Sequence, residues 1–439
     1  MVWSTDLGSF VRLSVTVPLV TLGSISLFAV ALTAPSSGAV TAAAACSHAQ
    51  PSMSSTEATR LTQPTSASDA RPLGESLGDG ISAAVRSLEP LDVTGRPTSG
   101  LPYGLSQGVI GVVGSATTGY KVVVDSAKLD AKKYQSAMAR NLPAAGKPLV
   151  KVERSCRSAQ SIADAWNAVG DRSWSSDASR TTYSVDLDPV SENVVVEYDQ
   201  ATTSPASLAG LRDVSGVQLV AGSLARTSRL SDTPKGGHWG GARITSALKN
   251  CSAGFSVVRR SNGQRGSVTA GHCGGPSTVW KSGTNYYGTT TVRTNYPDYD
   301  QSLVTGSAYG AKIWTDGPGD TANTRTVTGG GDPGVGTVVC QSGSFSTSLC
   351  NLTVRSTSAK YCDTDGCTTY VIRATRGGLV AIVGGDSGGP VYSRRGTSSA
   401  TVRGIAFAGA GCAASRCTTL YAERYNSITG HLGVTALTG

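Results

Sequence analysis

The sequence predicts an all-β body in its C-terminal part, a sandwich or barrel of many short strands, preceded by a small α+β domain. Three observations carry this. After residue 236, runs rich in Val, Thr and Tyr follow one another with glycine-containing turns between them: GFSVVRR, GSVTAGHC, QSLVTGS, GTVVCQSG, CNLTVRS, TYVIRATR and TVRGIAFAG. Only 15% of the residues are charged while Gly numbers 54, the balance of a rigid, turn-rich body rather than a helical bundle. Between about 120 and 225, helical and strand periodicities alternate. At 439 residues the chain has the length for two or three domains, each able to bury a core.

Taken in order, the chain opens with Arg12 before a long apolar run, LSVTVPLVTLGSISLFAVALTA, and then small residues, SSGAVTAAAAC. This pattern predicts a secretory signal over 1–45, cleaved near Ala43–Ala45. The run is also long enough to span a membrane as an uncleaved anchor, and Cys46 directly after the small residues offers a lipidation site. Residues 47 to about 100, rich in Ser, Thr, Pro and Ala, read as loose. YKVVVD then predicts a strand, DAKKYQSAMARNL a helix, PLVKVERS a strand and AQSIADAWNAV a helix. TTYSVDLDPVSENVVVEYD predicts a hairpin turning at Pro189–Asn193, SPASLAGLRDV a helix and VQLVAG a closing strand. No catalytic cluster lies in this small domain.

Charge separates the two parts. From Gly236 onward there are 18 Lys/Arg and 9 Asp/Glu, a net of +9. Out of totals of 38 and 29 this leaves 20 basic and 20 acidic residues for the rest, which is neutral. No basic run interleaved with aromatics accompanies the charge, so it speaks for solubility and attraction to anionic surfaces, not for a nucleic-acid partner. Export changes the reading of the ten cysteines, which are oxidised outside the cell. Eight follow residue 250, an even set compatible with four bridges; the other two are Cys46 and Cys156.

His272 in TAGHC reads as a general base, because an imidazole titrates near neutrality. A base needs a nucleophile, and GGDSGGP supplies Ser387. Glycines on both sides allow a tight, strained turn that pushes the hydroxyl outward. They also leave the N–H groups of Gly385 and Ser387 clear to point at one developing oxyanion. The base also needs an orienting carboxylate. Between His272 and Ser387 the acidic residues are Asp298, Asp300, Asp316, Asp320, Asp332, Asp363, Asp365 and Asp386. Asp300 is chosen because YPDYDQSLV sets it at the lip of an apolar strand, where a carboxylate is partly buried; Asp298 precedes the strand and faces solvent.

TAGHC, DYDQSLV and GGDSGGP, in the order His, Asp, Ser, resemble the chymotrypsin-like serine peptidases. CSAGFSVV, GSVTAGHC and the Cys340–Cys350 segment are similar to the bacterial streptogrisin and α-lytic protease branch of that family. The resemblance covers about 236–439, and TYSVDLDPVSENVVVEYD is similar to the pro-region hairpin of the same branch. It implies two six-stranded antiparallel β-barrels with the site in the cleft between them, His272 and Asp300 on the first and Ser387 on the second. It implies a pro-region over 46–235 that acts as intramolecular chaperone and inhibitor, removed between Lys235 and His238. The implied product is a secreted, monomeric endopeptidase of polypeptide substrates, with no cofactor and no metal.

The resemblance also implies bridges Cys251–Cys273 and Cys340–Cys350. The branch's usual cysteine six residues before the serine is Ala381 here. CDTDGC and CAASRC are then paired within themselves, Cys362–Cys367 and Cys412–Cys417; a crossed pairing and a four-cysteine zinc site are the alternatives. Two further positions depart from the pattern. Gln341 stands where the branch often has an arginine that pairs the Asp before the nucleophile, which leaves the partner of Asp386 open. Phe407 or Ala408 stands where the cleft strand has a serine bonded to the triad carboxylate. Specificity follows by elimination. AIVGG, before the oxyanion turn, holds no carboxylate for a basic side chain, and no histidine lies in the pocket strands for an acidic one. An apolar pocket of Ala381, Ile382, Phe407 and Gly409 remains. The competing readings are a catalytically inactive relative serving as an extracellular binding module, and a membrane- or lipid-tethered protein of the same fold.

Overall fold

The computed structural model describes residues 47–63, 72–93, 95–178, 181–200, 203–222, 224–225, 237–315, 320, 322–413 and 415–439. The expected signal, Cys46, Asp316 and most of the expected processing segment lie outside them. Among the described residues no helix is long and apolar enough to cross a membrane.

The C-terminal part is all-β, as its strand periodicity requires. One sheet has eight strands in the order Asn250–Ser252, Arg243–Thr245, Val279–Ser282, Asn285–Arg293, Ser302–Thr305, Arg265–Thr269, Ser256–Arg259 and Val434–Ala436. The second closes on itself. Arg416–Arg424 pairs Gly366–Thr375, which pairs Thr347–Asp363, then Val338–Gly343, Pro390–Arg395 and Ser399–Ala413, which returns to Arg416–Arg424. All six of these pairings are antiparallel, so the second ladder is a six-stranded ring with no free edge inside it. The first sheet departs from the expected six with eight strands, three of which, Arg243–Thr245, Asn250–Ser252 and the C-terminal Val434–Ala436, are only three residues long. Strict antiparallelism fails at the rims: Thr324–Gly330 runs parallel to Ser399–Ala413, and His238–Gly240 parallel to Tyr309–Trp314.

The N-terminal part is α+β. The predicted elements between 119 and 222 are present: strand Gly119–Val124, helix Ala131–Asn141, strand Val150–Arg154, helix Ala159–Gly170, hairpin Tyr183–Asp188 with Asn193–Asp199, and strand Val217–Gly222. SPASLAGLRDV forms a 3-10 turn, Pro205–Leu208, running into a single helical turn, Ala209–Arg212.

Among the described residues between 47 and 100 two helices stand where composition predicts a loose segment. Helix Ser55–Thr62 starts with a reciprocal cap between Ser54 and Glu57. Helix Leu73–Arg86 buries Leu73, Leu77, Ile81, Ala84 and Val85, a helical stripe that its glycines and serines disguise in composition. This stripe packs with Tyr120, Val122, Tyr134 and Leu149 in one core.

The two parts share sheet. Tyr183–Val185 pairs antiparallel with Lys360–Cys362, so the N-terminal hairpin extends the long hairpin Thr347–Asp363/Gly366–Thr375. Cys362, at the tip of that hairpin, is buried in the core formed by Ala165, Trp166, Tyr183 and Val196. Leu224–Ala225 pairs antiparallel with Ala410 and Gly409 on the strand Ser399–Ala413.

Candidate active site

Register brings His272 and Asp300 together. Strand Arg265–Thr269 runs antiparallel to Ser302–Thr305 with Thr269 opposite Ser302. His272 follows the first strand by three residues, on the 3-10 turn Gly271–Cys273, and Asp300 precedes the second by two, so both emerge at one end of the pair. Gly271 permits the approach: a Cβ there would sit 2.8 Å from the Gln301 nitrogen and 3.3 Å from Asp300 Oδ1. Asp300 is fully buried. Its Oδ1 accepts the His272 backbone N–H at 2.7 Å, and its Oδ2 lies 2.8 Å from His272 Nδ1. One carboxylate thus fixes both the main chain and the ring of His272. Asp298 takes a different place, exposed, with its Oδ2 accepting from the Asn295 side chain at 3.0 Å.

Ser387 comes from the other sheet, on the turn before strand Pro390–Arg395. Gly385 and Gly388 flank it with φ of 99° and 91°, in the left-handed region where a side chain is strained. Gly388 is also pressed against the first sheet, where an added Cβ would lie 2.2 Å from Thr269 Oγ1 and 2.3 Å from the Ser252 oxygen. The Ser387 carbonyl accepts the Ser252 N–H at 2.7 Å, and the Gly385 carbonyl accepts the Ser252 hydroxyl at 2.7 Å. Ser387 Oγ lies 3.5 Å from the Phe407 carbonyl. Cys273 links the two halves, its Sγ 3.9 Å from His272 Nε2 and 3.8 Å from the Ser387 carbonyl. Ser387 is fully buried, and Leu224–Ala225 runs along the adjacent strand.

The Ser387 turn has its own carboxylate. Asp386 Oδ1 accepts the N–H groups of Phe345 and Ser346, each at 3.1 Å, and Oδ2 accepts that of Val383 at 2.9 Å. Burial pushes its pKa up against these bonds. Its partners are therefore three backbone amides and the Ser346 side chain, not Gln341, whose side-chain oxygen accepts from the Ser346 hydroxyl at 3.1 Å.

All eight C-terminal cysteines are bonded as Cys251–Cys273, Cys340–Cys350, Cys362–Cys367 and Cys412–Cys417. Cys156 is also disulfide-bonded. The two short pairs are disulfides, so the crossed pairing and the four-thiolate zinc site are both set aside.

The four predicted pocket residues separate. An added Cβ on Gly409 would lie 2.7 Å from Cys417 Sγ and 2.8 Å from Ile382 Cγ2, so Gly409, Ile382 and the Cys412–Cys417 bridge are in contact. Ala381 and Ile382 share a core with Ala406, Cys417 and Leu420. Phe407 lies in a different one, its ring edge-on to Tyr361 at 5.8 Å and in the cluster that holds Tyr421. It occupies a bulge between Ala406 and Ala408, which puts it in one cluster with Ala408 and Ala410 and apart from Ala406.

Sequence reasoning missed Glu423. It is 1% exposed, and its Oε1 accepts the Asp300 backbone N–H at 2.6 Å. Its signal was an acidic residue inside the apolar run TTLYAERY, which a barrel strand buries only with partners.

No protein-family profile matches the chain. Two curated relatives are similar in sequence. Streptogrisin-C of Streptomyces griseus is 30% identical over 264 residues, 57% of this chain and 54% of that protein. Serine protease 1 of Streptomyces fradiae is 31% identical over 212 residues, 47% and 55%. The chain spans about half the length of the curated relatives it matches. Among solved structures, Thermobifida fusca protease A is 29% identical, covering 46% of this chain and 98% of that one at a TM-score of 0.38. The Nocardiopsis protease is 25% identical with the same coverage and TM-score. The resemblance to the streptogrisin branch of bacterial serine proteases thus extends beyond the three motifs to half of the chain, at modest identity.

Proposed function

We propose that this chain is the precursor of a secreted serine endopeptidase working through His272, Asp300 and Ser387. The observation that carries the reading is the double hold of Asp300 on His272, through the backbone N–H and through Nδ1, at the end of the sheet that meets the Ser387 turn. A carboxylate on Nδ1 keeps the proton there and leaves Nε2 as the base. His272 Nε2 takes the Ser387 proton as Oγ attacks the scissile carbonyl. The N–H groups of Gly385 and Ser387 receive the oxyanion. The imidazolium returns the proton to the leaving amine, and water repeats the sequence on the acyl-enzyme. The similarity to two named serine proteases supports the reaction class. Four disulfides and the leading apolar segment support export.

Residues 46–235 are the pro-region in this reading, and 236–439 the enzyme. Support comes from Leu224–Ala225, which adds to the strand at Gly409–Ala410 as an extended peptide would, on the strand whose Phe407 carbonyl lies 3.5 Å from Ser387 Oγ. Such a segment blocks the cleft until it is removed. Specificity is for apolar residues on the acyl side, because Ile382, Gly409 and the Cys412–Cys417 bridge bring no charge to the cleft wall. An unpaired buried charge there costs several kcal/mol, and about 3 kcal/mol in the transition state already exceeds a hundredfold in rate.

The test is expression of the full chain beside Ser387→Ala. The parent is expected to lose its N-terminal part and to cleave a peptide library after apolar residues, and Ser387→Ala to do neither. Equal cleavage by both chains would overturn the reaction, and a dominant basic or acidic residue on the acyl side would overturn the pocket alone.

A further inference from the structure

Glu423 is the next-to-last residue of the strand Arg416–Arg424, two residues before helix Tyr425–Leu432 begins. Its side chain is buried beneath the turn that carries Asp300. Oε1 accepts the Asp300 N–H at 2.6 Å, and Oε2 lies 3.4 Å from both Gln301 Nε2 and Ser427 Oγ. Gln301 Nε2 also donates to Ser427 Oγ at 2.9 Å. Two consecutive residues of the turn are thus tied to one acceptor from the second sheet. Asp300 is in turn the residue that fixes His272, so the bonds form one line from Glu423 through Asp300 to His272 Nδ1.

We infer that Glu423 is a positioning residue: it holds the Asp300 turn by its backbone N–H, so that the Asp300 carboxylate meets His272 at both points. This rests on the peptidase reading above. The local chemistry favours a positioning role over simple packing. A buried carboxylate is costly among apolar neighbours, and this one is retained where Ile405, Ala406 and Ala422 line the sheet. Burial raises its pKa to about 7, against the Asp300 N–H that lowers it. The charged groups that bear on it are Asp300, which opposes its ionisation, and Arg424 and Arg96, which favour it. It is therefore only partly ionised near neutrality, and the charge it gains as pH rises adds to the field of Asp300 on the imidazole.

The experiment uses the full chain, matured as the parent is, with Glu423→Gln and Glu423→Leu assayed on one peptide substrate across pH. Gln keeps an acceptor for the Asp300 N–H, and its kcat should stay within about threefold. Leu removes it, and kcat should fall by about 30-fold or more, with KM within about twofold, because one buried donor is left without its partner. In Glu423→Gln the acid limb of kcat/KM should move to lower pH, since a negative charge favouring the protonated imidazole is gone. Parental kcat in Glu423→Leu, or equal losses in both variants, would overturn the inference. If Glu423→Leu yields no folded enzyme, the Glu423→Gln profile decides, and a profile superimposable on the parent's would overturn it. Ser387→Ala, run alongside, separates the two levels. A parent no more active than Ser387→Ala sinks the peptidase reading and this inference with it. An active parent with an indifferent Glu423 sinks only the inference.

Discussion

Replacing Asp300 by Asn tests the orientation of His272 at the cost of one atom. Asp300 accepts two hydrogen bonds from His272, the backbone N–H on Oδ1 at 2.7 Å and the ring on Oδ2 at 2.8 Å. Asn offers one oxygen and one NH2 to the same two places, so it must choose. With its oxygen on the ring, its NH2 faces the His272 backbone N–H, and two buried donors oppose each other. Leaving such a donor unsatisfied costs about 1–3 kcal/mol. With its oxygen on the backbone N–H, its NH2 faces Nδ1, which must then accept and so carry no proton. The second arrangement is favoured by that cost, about 5- to 150-fold in population. It places the ring proton on Nε2, the atom that must receive the Ser387 proton. The expected loss in kcat is on the order of 10⁴, the size seen when a triad histidine is held in the wrong tautomer. KM and the thermal unfolding midpoint should move little, because all contacts of the apolar core are kept. Asp298→Asn is the control: its carboxylate bonds an exposed asparagine and does not touch His272. Steady-state kinetics of both purified variants settle the matter. An Asp300→Asn enzyme retaining a tenth of parental activity, or equal losses in the two variants, would refute the tautomer argument.

Two other outcomes follow from the same geometry. Residues 236–439 refolded alone should stall short of activity, and addition of residues 46–235 in trans should recover it, since the strand Lys360–Cys362 pairs with Tyr183–Val185 and ladders of distant strands close slowly; recovery of activity at the full-chain rate by 236–439 alone would remove the chaperone role. The seam between the two parts should also respond to pH through Asp186, whose pKa desolvation raises from 3.8 to about 6 although Arg373 lies 3.6 Å away. A folded-state pKa above the unfolded one means the folded chain binds the proton more tightly, so this group's contribution falls as pH rises from about 4 to 6 and then levels, by roughly 3 kcal/mol at most. In the Ser387→Ala background, Asp186→Asn should therefore flatten the loss of unfolding midpoint over that window; identical slopes with and without the substitution would contradict it.

The legibility of this chain in its sequence follows the range of the interactions involved. The places of His272, Asp300 and Ser387 in the fold are legible because each rests on a local pattern: a strand end, a strand lip and a glycine-flanked turn. The N-terminal helices and strands from 119 to 222 are legible for the same reason, since periodicity within ten residues determines which face is buried. What stays hidden needs a partner distant in the chain. Composition makes LGESLGDGISAAVR look loose, and the helix exists because Tyr120, Val122 and Leu149 cover its apolar stripe. The bulge at Phe407 arises from its pairing with Arg416–Arg424, so the direction of the ring cannot be read from GIAFAGAG alone. Asp386 finds its donors chiefly in the backbone of Phe345, Ser346 and Val383, where no cationic side chain announces a partner. Glu423 lies 123 residues from the N–H it accepts. A single acidic residue in a strand signals only that some donor must exist. The closure of the second ring brings that strand's end under the Asp300 turn, and with it a carboxylate that the motifs for catalysis do not contain.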